Sequence, residues 1–164
     1  MGSPLGRFAG DADDTHVTVR LLEAPLRIWQ RAAEHHDELM RELTLLALAP
    51  AGTATSTLPI RLVELVEVLG RTYGAAVARP DGERDVALAR GLDRLDLTYS
   101  VPRSAGDAAR RMRALLDEAE EYCRTDLLTV AQPQVQADFA RWYTDQFVQQ
   151  CGGGSPTPWP GPWG

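Results

Sequence analysis

Between Leu26 and Leu48 the chain steps from one apolar side chain to the next by alternating intervals of three and four. Leu22, Leu26, Trp29, Ala33, His36, Met40, Leu43 and Ala47 follow this rule, and Ile28, Ala32, Leu39 and Leu46 widen the stripe. Arg27, Gln30, Arg31, Glu34, Asp37, Glu38, Arg41 and Glu42 fill most of the opposite side, with Asp37 and Arg41 one turn apart. Such an amphipathic helix must bury its stripe against other elements, and a helical bundle is the simplest way to do so.

The remaining sequence supplies partners for that stripe. Residues 1–15 are small, polar and acidic, without periodicity, and read as a mobile arm that includes the neighbourhood of His16. THVTVRLLEAP (15–25) has β-branched character and reads as a short extended segment, with Pro25 placed to open the helix that follows. APAGTATST (49–57) is a loop, after which Ser56 or Thr57 can cap a second helix carrying Leu62, Leu65, Val66, Leu69, Tyr73 and Val77. Gly70 and Gly74 weaken that helix unless their spacing serves a close helix contact, and RPDGE is expected to break it before a short helical run.

LDLTYSVP (95–102) alternates like a strand. Two further helices follow, with stripes through Ala108, Met112, Leu115, Ala119 and Tyr122, and through Val135, Phe139, Trp142, Tyr143 and Phe147. The expected fold is mainly α: a single-domain helical bundle of about four to five helices with one short β element. Its expected bounds are residues 16–151, and 152–164 (GGGSPTPWPGPWG) reads as a glycine hinge and a disordered Pro/Trp tail. A docking peptide is the alternative reading of that tail.

Composition limits the partners. The formal net charge is −6, which argues against nucleic acid and anionic membrane surfaces. No apolar run approaches a bilayer span and the N-terminus has no signal-peptide pattern, so a cytoplasmic protein is expected. The two cysteines, Cys123 and Cys151, lie far apart without a CxxC and read as small hydrophobes. All the basic residues are arginine and there is no asparagine, a bias that GC-rich coding explains.

The chemically most suggestive residues are His35 and His36. Adjacent on a helix, they diverge by about 100°, so they cannot chelate a metal alone. Ala32 and Ala33 stand where the glutamates of a di-iron Glu-x-x-His signature belong, and no H-E-x-x-H is present. His36 therefore reads as a core histidine donating to a carbonyl or carboxylate of a neighbouring helix. EHHDELMREL also bears a faint likeness to the phosphoacceptor element of histidine kinase dimerisation helices, without the proline that follows there. That leaves histidine-dependent phosphotransfer or metal binding as the competing reading. Asp117, Glu118, Glu120 and Glu121 read as a solvated face; their place toward the helix C-terminus is equally consistent with contact to a partner or with arginines elsewhere in the fold. No P-loop, G-x-G-x-x-G or G-x-S-x-G occurs, and neither an enzyme nor a cofactor is expected.

Two stretches, VRLLEAPLRIWQRAAEHHDELMRELTLLAL and AARRMRALLDEAEEYCRTDLLTVAQPQVQADFARWYTDQFVQQ, together resemble a group of small helical actinobacterial proteins. The shared elements are EHHDEL-x-RE, EYC, LLT and the RWY-x-x-x-FV-x-Q terminal helix. Members of that group are encoded beside partner-switching stress regulators: anti-sigma kinases, STAS-domain antagonists and serine/threonine phosphatases. The resemblance implies a non-enzymatic regulatory or adaptor protein in sigma-factor signalling and carries over no catalytic residue. The expected interaction surface is Glu34, His35, His36, Asp37, Glu38 and Arg41, with His36 turned inward. A self-assembling structural protein, or homo-oligomer, is the third reading.

Overall fold

The computed structural model describes residues 15–47, 58–126 and 133–162. In chain order these form β1 (His16–Pro25), α1 (Leu26–Ala47), α2 (Leu58–Ala89), β2 (Arg94–Pro102), α3 (Ala105–Asp126) and α4 (Gln134–Cys151). The protein is mainly helical, and its two strands form one antiparallel sheet. Except for Thr15, the arm expected at residues 1–15 lies outside the described residues. His16 is not part of a mobile arm: it opens β1 and pairs with Pro102.

β1 shows how local geometry answers the hydrophobic pattern. Val19 and Leu21 point into the core, so strict alternation would also turn Glu23 inward. The chain avoids this with a bulge. Leu21 pairs with Leu97 and Ala24 with Leu95, leaving Leu22 and Glu23 opposite Asp96 alone. Glu23 takes φ 52°, and its N–H donates to Asp96 Oδ1 at 2.7 Å, so a charge-assisted bond holds the unfavourable backbone. Arg94 Nη1 reaches the Glu23 carboxylate at 3.3 Å. The phase shift keeps Glu23 in solvent and buries Ala24.

The main core forms where the sheet meets α1 and α4. Val19, Leu21, Leu97, Tyr99 and Val101 pack against Ile28, Trp29, Phe139, Trp142 and Phe147. On α1 the buried line runs through Leu26, Ile28, Trp29, Ala32 and Leu39; Ala33, expected inside, is exposed. The stripe is thus turned by about one position, because the sheet as well as the helices draws α1 toward it. A second, smaller cluster of Leu39, Leu62, Leu115 and Ala119 joins α1, α2 and α3 away from the sheet.

α2 departs from its expected break. It runs unbroken from Leu58 to Ala89 with Pro80 inside it. An internal proline costs about 3 kcal/mol in an isolated helix, and here packing on both sides of it outweighs that cost. Before it, Leu62 lies in the second cluster and Tyr73, Ala76 and Val77 pack on the main core; after it, Arg84 lies over the Trp29 ring and Ala87 is buried. The helix ends at Gly91, φ 73°, where Gly91 N–H donates to Leu88 O and Leu92 N–H to Ala87 O in a Schellman motif.

The same device corrects the reading of the C-terminal segment. Gly153, φ 91°, closes α4: its N–H donates to Gln150 O and that of Gly154 to Gln149 O. The glycines are a helix stop, not a hinge, and they turn the chain back over the core. Trp159, expected in a disordered tail, is only 4% exposed and packs edge-on against Phe139 and Trp142. Its N–H donates to Leu22 O at the bulge, and its indole N–H donates to Pro162 O. An apolar ring with satisfied polar groups is more stable in that slot than in water.

Two stability predictions follow from the fold. Trp159→Ala is expected to lose about 3–5 kcal/mol, read as a lower urea midpoint; an unchanged midpoint would mean the segment contributes nothing. Gly70 and Gly74 have no atom within 4 Å of an added Cβ, so their spacing serves no close helix contact. Gly70→Ala and Gly74→Ala should each stabilise by about 0.5–1 kcal/mol, and a destabilised variant in the same titration would contradict this.

Candidate functional site

The site grows from small residues on facing helices. α1 turns Ala32 and Ala33, and α4 Ala137 and Ala140, toward a space between the two apolar clusters. Four methyl groups cannot fill an inter-helix gap that larger side chains hold open at either end. A half-open cavity of about 480 Å³ results, within the usual range for small-molecule sites. Trp29, Phe139 and Tyr143 form its aromatic side, with ring centroids 5.3–6.2 Å apart, and Leu39, Met112 and Leu116 its other apolar wall. His35, His36 and Asp37 of α1 line it, as do Asp81 and Arg84 of α2.

The structure divides the six expected interaction residues between two surfaces. His35 and His36 are half-buried and line the cavity, His35 less outward than expected. Asp37 is exposed at its edge, while Glu34, Glu38 and Arg41 lie on the exposed side of α1. Glu34 accepts a hydrogen bond from Gln30 Nε2 at 3.0 Å. Asp37 and Arg41 form no ion pair with each other or with any other described residue. The hydrogen bond expected from His36 to a neighbouring helix is also absent among the described residues.

Burial sets the protonation of the cavity wall. Desolvation lowers the His36 pKa below 6.5; the Asp37 charge opposes the shift and His35 adds to it. Desolvation raises Asp81 as well, against the pull of Arg84 and with a push from Asp85. Tyr143 is pushed up to about 12, chiefly by burial and then by the Asp81 charge, with the Tyr99 hydroxyl opposing. Tyr99 rises further for the same leading reason, with the neighbouring Tyr143 adding to the shift. At neutral pH the imidazole of His36 and both phenols are therefore uncharged.

Asp81 and Arg84 were not legible in the sequence as site residues. Arg84 lies over the Trp29 ring, 5.2 Å from its centroid, and pairs with Asp81 at 3.3 Å and Asp85 at 2.8 Å. RPDGERD reads as a turn, and only the unbroken α2 carries Asp81 and Arg84 to the cavity. The acidic cluster of α3 meets arginines from elsewhere in the fold. Glu118 pairs with Arg61 at 3.0 Å, and Asp117 and Glu120 lie 3.9 Å from Arg141.

Neutral His36 and Tyr143 can exchange hydrogen bonds with a bound group. Among the described residues no three His, Cys, Asp or Glu side chains are grouped to hold a metal ion. No helix among them is long and apolar enough to cross a membrane. The side chain of Cys123 lies outside the described residues, and Cys151 is buried at the end of α4.

The lowered His36 pKa has a sign that unfolding can read. The unfolded chain binds this proton more readily, so the contribution of neutral His36 is fully present above about pH 6.5. It falls as pH drops below that value and levels off below the folded pKa. Asp81, shifted upward, acts in the opposite sense toward acid, so the test is a difference between variants. His36→Gln should lose less stability than the parent between pH 7.5 and 5.5 in urea titrations; equal losses would contradict a desolvated His36. Comparison with known proteins finds no match to a protein-family model, a curated protein or a solved structure.

Proposed function

We propose that this is a non-enzymatic regulatory or adaptor protein that works through protein contacts made by the outer face of α1. The observation that supports this most is a contrast in charge pairing. Across α2, α3 and α4, arginines and carboxylates pair within the chain: Glu67 with Arg71, Arg79 with Glu83, Arg113 with Asp117, Arg141 with Asp138. On α1, exposed Arg31, Asp37, Glu38 and Arg41 have no ion-pair partner among the described residues. A helix with unpaired charges of both signs can fix the register of a complementary protein surface and speed encounter. The resemblance of EHHDELMRE and RWYTDQFVQQ to actinobacterial proteins encoded beside partner-switching regulators supplies the partner class. An anti-sigma kinase, a STAS antagonist or a serine/threonine phosphatase is the expected partner.

Native capture of the tagged protein from its own lysate, with mass spectrometry of the eluate, identifies the partner. The double charge reversal Glu38→Lys/Arg41→Glu then tests the surface. It is expected to weaken that partner at least about tenfold while leaving the unfolding midpoint unchanged. Retained affinity in the folded double variant would remove α1 as the contact surface.

A further inference from the structure

The cavity has no role in a contact made by the outer face of α1, and its composition specifies a ligand. We propose that it binds an uncharged, largely apolar small molecule with a flat ring system, seated against Trp29, Phe139 and Tyr143 and hydrogen-bonded through one polar group to His36 or Tyr143.

Three features select this chemistry. The first is size and shape: about 480 Å³ accommodates a fused two- or three-ring compound, and its mouth opens between helices. The second is the wall. Trp29, Phe139 and Tyr143 offer ring edges and faces on one side, and Leu39, Met112 and Leu116 close the other, so a planar apolar body is wetted poorly and packed well. The third is charge. Three arginines line the cavity, Arg84, Arg113 and Arg141, against four carboxylates, Asp37, Asp81, Asp117 and Glu120.

The pairings decide what the charges can do. Arg84 is held by Asp81 and Asp85, and Arg113 by Asp117 at 2.9 Å and Asp145 at 3.5 Å. Arg141 has Asp117, Glu120 and Asp138 each 3.9 Å away. An anion entering would have to displace a wall carboxylate, and a cation passing the exposed Asp37 at the edge would meet arginines that Asp81, Asp117 and Glu120 already neutralise. Desolvation shifts His36, Asp81 and Tyr143 all toward their neutral forms, which shows the same aversion to net charge at three separate points of the wall. A neutral ligand pays neither cost, and neutral His36 and Tyr143 provide the donor and acceptor that orient it.

Three naphthalene probes of nearly equal size and different charge test the proposal on the purified full chain. They are naphthalene-2-carboxamide, naphthalene-2-carboxylate and naphthalen-2-ylmethylammonium, with binding measured by isothermal titration calorimetry and ligand-observed NMR. The amide is expected to bind with a dissociation constant on the order of 100 μM, and each charged probe at least about tenfold more weakly. Ala140→Phe, which fills the cavity from α4, should abolish amide binding. Ala33→Phe fills it from the exposed edge of α1 and serves the same purpose if the first variant does not fold. Absence of amide binding at about 1 mM would overturn the site. Charged probes binding as tightly as the amide would overturn the ligand class, and unchanged binding in a folded phenylalanine variant would overturn the location. None of these outcomes depends on a protein partner, so failure here leaves the contact surface of α1 to its own test.

Discussion

A two-stranded sheet is too small to be stable alone, and here the side-chain amide of Gln150 extends its hydrogen bonding while α1 and α4 cover its face. Gln150 accepts from Arg20 N–H at 2.9 Å through Oε1 and donates to Arg20 O at 2.8 Å through Nε2, so it pairs with the outer edge of β1 as a neighbouring strand would. Its Nε2 also reaches Gln146 Oε1, which accepts from Thr157 N–H in turn, while Gln146 Nε2 donates to Thr157 Oγ1. Two buried glutamines thus tie α4 to the sheet on one side and to the C-terminal segment on the other. Every amide atom in this chain has a partner, which is the condition under which buried polar groups specify a structure.

The aromatic packing follows from that latch. With α4 held along β1, Phe147 meets Tyr99 at 5.3 Å, and Trp142 and Trp159 stack edge to face at 5.7 Å. The indole N–H of Trp142 donates to Thr157 O, so the returning chain satisfies the ring that covers the sheet. The bulge at Leu22–Glu23 belongs to the same arrangement: it frees the Leu22 carbonyl from the ladder, and the Trp159 N–H takes it up. Strand, helix and C-terminal segment each complete a valence that another leaves open.

Elements dominated by one period were legible in the sequence. α1, α3, α4 and the alternating strands stand close to where hydrophobic spacing put them, and the mainly helical class with a short β element follows from those periods. Two local signals misled, both for tertiary reasons. Pro80 looked like a break, but packing on either side of it exceeds the cost of one lost hydrogen bond. The Gly/Pro/Trp segment looked disordered because its composition is that of linkers, yet one tryptophan at the right distance from a helix stop finds a slot in the core. A signal for the glutamine latch was present: Gln146 and Gln150 continue the apolar line of Phe139 and Trp142, where an uncharged polar residue demands a buried partner. The cavity was not legible, because alanines on an apolar stripe predict burial and say nothing about whether the facing residue fills the gap.

The distribution of packing gives the cavity its mechanical setting. At the sheet end, aromatic rings, two strands and the glutamine latch consolidate α1 and α4. At the far end, among the described residues, Leu39, Leu62, Leu115 and Ala119 are buried with Met40, Leu65, Val66 and Met112 packed against them, and exposed pairs such as Arg61–Glu118 contribute at most about 1 kcal/mol in water. Between them, α1 from Trp29 to Leu39 has the cavity beside it instead of close-packed side chains. His36 sits in this interval, more than a turn beyond Trp29 and less than one before Leu39. The pair of histidines that first suggests chemistry thus lines the cavity between the two apolar clusters of the described residues.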